Sequence, residues 1–160
     1  MHWARNIPAL REQFDVYAID LPGLGDAAMC EVESDAVSAA RATRTALEQL
    51  FDSAFHMVAF SWGCTVTAMV MKDMATRLKS VMLTGPAAVG DLPRRVTMKP
   101  LIRREPGMGS DEVLAAQKEN LARLMFYQRS RIDNTAVTIQ QLNTSRARFR
   151  SPPYARGTLV

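Results

Sequence analysis

The chain has 160 residues and a formal net charge of +4, and it is 48% hydrophobic and 22% charged, with 8 Gly and 8 Pro, a balance that excludes a disordered tail and fits a soluble globular domain. A compact fold of this size buries about 70% of the surface of its extended chain, so its two Cys, Cys30 and Cys64, are not needed as a disulfide scaffold, and they lack the C-x-x-C spacing of zinc or redox work. No segment approaches about 18 uncharged apolar residues and no leader pattern opens the chain, so a cytoplasmic protein without a membrane partner is expected.

In chain order, residues 14–20 (FDVYAID) are apolar and β-prone and predict a strand, broken at Pro22-Gly23. Residues 38–51 carry Ala40, Thr43, Leu47 and Leu50 at helical spacing, and Asp35 is placed to cap that helix. Residues 56–60 (HMVAF) form a short apolar run ending at Ser61. Residues 64–77 then read as a helix whose Ala68, Met69, Val70 and Met71 leave little polar face. A third strand is expected over 80–84, ended by Gly85-Pro86. Three apolar strands separated by helices predict an α/β fold, a mostly parallel sheet covered on both faces. Open sheets of this kind bind ligands at the strand ends, here the turns after Asp20, Phe60 and Thr84.

Beyond Asp91 the rhythm changes. Pro93, Pro100 and Pro106 punctuate a basic stretch. Ser110 is placed to cap a helix through Leu114, Leu121, Leu124 and Met125, and Asp133 a second carrying Val137 and Leu142. Residues 1–90 hold 7 basic and 10 acidic side chains, and 91–160 hold 13 and 6. The excess is mostly scattered Arg with few interleaved aromatics, so no nucleic acid partner is expected. The organisation expected is a core over 1–90, a helical cap over 91–153 and a returning core strand from 154. The chain ends on the first residues of that strand, so a fragment of a longer polypeptide is expected.

The sharpest local signal is Ala59-Phe60-Ser61-Trp62-Gly63, where a buried strand turns directly into a helix. It resembles the nucleophile elbow of the α/β-hydrolase family. A strained Ser at such a bend exposes its Oγ, which asks for small residues two before and two after, here Ala59 and Gly63. The helix start beyond it aims N–H groups at a developing oxyanion, with the Trp62 N–H as one donor. The likeness extends to Asn6-Ile7-Pro8-Ala9-Leu10, similar to the family's helix after the oxyanion loop, and to Asp20-Leu21-Pro22-Gly23-Leu24-Gly25, similar to its D-x-P-G-x-G turn. Ala59 stands where the first elbow Gly is usual, Phe60 where a His is common, Cys64 where another small residue is usual, and Ala27 where Ser is frequent.

The resemblance implies that the complete parent protein is a serine hydrolase acting on a carboxylic ester or similar carbonyl substrate, with Ser61 as nucleophile and half the oxyanion hole at Trp62, and the 160-residue piece by itself is expected to be inactive. Carbon-carbon bond hydrolysis of ring-fission products is the alternative, and a non-catalytic truncated relative acting as a binding module is another. The family's His-Gly oxyanion loop, its acid and its base His have no counterpart that can be assigned. His56 lies five residues before Ser61 in the same strand, about 16 Å away at roughly 3.3 Å per residue, too far for a base. Asp91, just past a strand end, is a candidate acid. Phe60, Met125 and Phe126, with Tyr127, are candidate pocket residues. Arg146, Arg148 and Arg150 could meet a substrate carboxylate but read first as a solvated face. Ser61 as a plain helix N-cap is the competing reading, and Cys64 reads as a small buried residue. No cofactor or metal is implied. The partner is a small-molecule substrate, and self-association into a homo-oligomer stays open.

Overall fold

A computed structural model describes residues 3–29, 36–87 and 99–148. Contacts divide the chain into two compact units, Met1–Ile19 with Arg94–Arg146 and Asp20–Pro93 with Ala147–Val160. The second unit is an α/β fold. Strand β1 (Phe55–Phe60) leads through helix α3 (Trp62–Met74) and a 3-10 turn (Ala75–Arg77) into strand β2 (Leu78–Thr84), and the two strands run parallel. A parallel pair needs such a crossover because its strand ends lie at opposite edges of the sheet.

The register sets His56 opposite Ser80, Val58 opposite Met82 and Phe60 opposite Thr84. Alternation then sorts the side chains by face. Phe55 and Met57 pack towards the helices and Ala59 is buried. Helix α2 (Ala36–Leu50) contributes Ala39, Ala40 and Leu47 to the core and α3 contributes Val66, Val70 and Met74. Val66, Val70 and Met74 recur every four residues, and Ala40, the buried Thr43 and Leu47 at intervals of three and four, so each set forms one face of its helix. Burying side chains the size of Val70 or Met74 stabilises the unit by about 1.5–3 kcal/mol apiece. At the rim Arg44 bonds Asp73 at 3.0 Å, and the Arg77 guanidinium donates to the Phe51 carbonyl. The other sheet face is open: Val58 is 47% and Met82 61% exposed. Among the described residues the expected covering of both faces is therefore met on one.

The strand expected over 14–20 does not form. Residues 15–20 carry no ladder, and Phe14, Tyr17 and Ile19 are exposed. β-prone side chains make a strand only where a neighbouring strand receives their backbone groups, and among the described residues the sheet is β1 beside β2 alone. Asp35, and the strand expected from 154, lie outside the described residues.

In the first unit, helix α1 (Ile7–Leu10) starts with Pro8 in its first turn. Helix α4 (Ser110–Leu124) and helix α5 (Asn134–Arg146) pack Leu121 against Val137, with Ile132 between them in sequence. The cap of α4 differs from expectation: Gly109 is the N-cap, Ser110 opens the helix, and the Gly109 N–H donates to Glu112 Oε2 at 2.8 Å. Asp133 does cap α5, its Oδ1 accepting the Ala136 N–H at 2.8 Å. Glu119 accepts from Arg129 Nη1 at 2.8 Å and from Arg123 Nε at 2.9 Å. These guanidiniums, Arg129 first, hold its carboxyl down to about 2 against an ordinary 4.5.

Candidate active site

Ser61 is the single residue between the last residue of β1 and the first of α3. Its backbone sits at φ 53°, ψ −120°, and among the described residues no other non-glycine has a positive φ. Those angles match the first central position of a type II′ turn, which glycine occupies without strain. A serine there stores about 1–3 kcal/mol that surrounding structure must hold. The holding bonds come from the end of β2, the residues just beyond it and the first turn of α3. The Ser61 N–H donates to the Thr84 carbonyl at 3.0 Å, and the Ser61 carbonyl accepts from the N–H groups of Cys64 at 3.0 Å and Ala87 at 3.3 Å. Two side chains of α3 add to the same seam, the Cys64 thiol donating to Thr84 O at 3.4 Å and the Thr65 hydroxyl to Ala87 O.

The Ser61 hydroxyl takes no part in this framework. Ser61 is the N-cap of α3, yet its side chain makes no capping bond, and the residue is partly exposed. An ordinary N-cap serine bonds an N–H of the first helical turn. This one leaves the positive dipole end of α3 without a capping bond from the Ser61 side chain. A Cβ built on Gly63 would stand 3.9 Å from Ala59 Cβ, ordinary van der Waals contact. The two positions thus face each other at a separation that methyl groups fill and larger side chains would force apart.

Trp62 is partly buried against the Val66–Met74 cluster, and Cys64 is fully buried. Phe60 faces Gly85, where an added Cβ would lie 3.5 Å from its ring. His56 Nδ1 and Ser80 Oγ are 2.7 Å apart, which places the imidazole at the far end of β1 from Ser61. Met125 and Phe126 pack against Leu121, Ile132 and Val137 in the helical unit, and Tyr127 is fully exposed. Asp91 and Arg150 lie outside the described residues. Arg148 bonds the turn at residues 20–28, a role the sequence reading missed.

That turn has its own logic. Gly23 and Gly25 have φ of 76° and 54°. A Cβ on Gly25 would fall 2.1 Å from Asp20 Oδ2, and that same oxygen accepts the Asp26 N–H at 3.1 Å. Among the described residues no three His, Cys, Asp or Glu side chains are grouped to hold a metal ion, and no helix is long and apolar enough to cross a membrane.

A parallel βαβ unit with one strained residue at its strand-to-helix bend places the chain among the α/β proteins. The family profile described as alpha/beta hydrolase fold matches residues 1–144, and the chain belongs to that family. No curated protein matches the chain, and no solved structure does.

Proposed function

We propose that the protein is a serine hydrolase of carboxylic esters or related small carbonyl substrates, with Ser61 as nucleophile. The observation that carries this reading is the strained backbone of Ser61 combined with a hydroxyl that caps nothing. In the proposed step Ser61 Oγ attacks the carbonyl carbon and loses its proton to a base. The tetrahedral oxyanion accepts the Trp62 N–H at the start of α3, and collapse expels the alcohol, leaving an acyl-serine that water hydrolyses. His56 is held by Ser80 and is not that base. Base and acid are sought outside the described residues, with Asp91 a candidate acid. Membership of the hydrolase-fold family supports the reading.

A fluorophosphonate probe tests it, with the labelled residue located by peptide mass spectrometry. The chain and a polypeptide extended in frame at both ends are treated in parallel with their Ser61→Ala variants. Labelling at Ser61, lost in the variants and faster in the longer form, is expected. Absence of Ser61 labelling in both forms refutes the proposal.

A further inference from the structure

Residue 148 lies two positions past the end of α5 at Arg146, yet it is fastened to a turn roughly 120 residues earlier in the chain. Its backbone N–H donates to the Gly23 carbonyl at 2.8 Å. Its Nη2 donates to the Ala27 carbonyl and reaches the Gly25 carbonyl at 3.4 Å. Three carbonyls of one short turn converge on a single residue. The glycine conformations described above shape this turn, and the Asp20 carboxylate braces it from within. A guanidinium suits the task because its donors are fixed in a planar fork, whereas an ammonium presents a compact charge on a flexible stem. The turn also touches the core: Leu21 packs on the same apolar cluster as Trp62.

We propose that Arg148 is a positioning residue, a latch that holds the turn of residues 20–28 and, through Leu21 and the shared cluster, the seat of Trp62 beside Ser61. The second half of this statement rests on Ser61 being the nucleophile, and the first half does not. Hydrogen exchange on the full 160-residue chain tests the latch. In Arg148→Gln the amides of Gly23, Leu24 and Ala27 should exchange about tenfold faster, as expected for losing the guanidinium bonds to the Ala27 and Gly25 carbonyls. The amides of Val66 and Val70 should stay within about twofold, and Arg148→Lys should fall between wild type and Gln. Unchanged turn amides overturn the latch. Equal acceleration in α3 also overturns it, since that is general destabilisation. Fluorophosphonate labelling tests the positioning: the limiting rate at Ser61 should fall about tenfold in Arg148→Gln with the half-saturating probe concentration nearly constant. A loosened turn with an unchanged limiting rate overturns the positioning role. A loosened turn with no Ser61 labelling of wild type, in either the 160-residue chain or the form extended at both ends, overturns the nucleophile reading and leaves the latch supported.

Discussion

Replacing Ser61 by glycine should make the protein more stable, although most substitutions in packed structure do the reverse. At φ 53°, ψ −120° a Cβ costs about 1–3 kcal/mol, and glycine removes that cost. Glycine also adds about 0.4–1 kcal/mol of unfolded-state freedom, so Ser61→Gly should gain about 1 kcal/mol net, or about 2–4 °C in Tm for a chain of this size. Ser61→Ala keeps the Cβ and deletes only a hydroxyl that makes no capping bond, so it should stay within about 0.5 kcal/mol of wild type. Thermal and urea unfolding of the three proteins separates strain from capping. If Ser61 were an ordinary cap, Ala would cost about 1 kcal/mol and Gly a few tenths. A glycine variant less stable than wild type would refute the strain argument.

Gly25→Ala should lose about 1–3 kcal/mol in urea unfolding, because the new Cβ meets both an unfavourable φ of +54° and the Asp20 carboxylate. Val70→Ala, at a side chain 1% exposed in the α2–α3 interface, should cost about 2–3 kcal/mol by the same measurement. The Glu119 carboxyl is depressed to about 2 from 4.5, so its stabilisation is complete above the upper value and disappears as pH falls through the lower one. The Tm difference between wild type and Glu119→Gln should therefore be greatest near neutrality and close progressively between these two pH values.

Local pattern carried much of the second unit. The runs 56–60 and 80–84 and the helix between them were legible because apolar composition and breakers such as Gly85-Pro86 are properties of neighbouring residues. The segment 14–20 has the same composition and no ladder, since strand formation depends on a partner elsewhere in the chain. The bend at Ser61 could be located from its flanking small residues, but its holding bonds could not, because they run to Thr84 and Ala87. Arg148 read as one more solvated arginine for the same reason: its partners at residues 23–27 share no sequence neighbourhood with it. Ser110 looked like the α4 cap because it is the conventional residue type, while the Glu112 carboxylate reaching back to the Gly109 N–H moved the boundary by one.

The strained bend at Ser61 depends on bonds from the end of β2 and the residues after it, so it is not a property of the pentapeptide alone. A peptide comprising only β1 and α3 would contain every residue of the pentapeptide, but it would lack the Thr84 and Ala87 groups that oppose relaxation of the serine. Grafting the motif into another scaffold would thus transfer the letters without the tension, unless the neighbouring strand travelled with it.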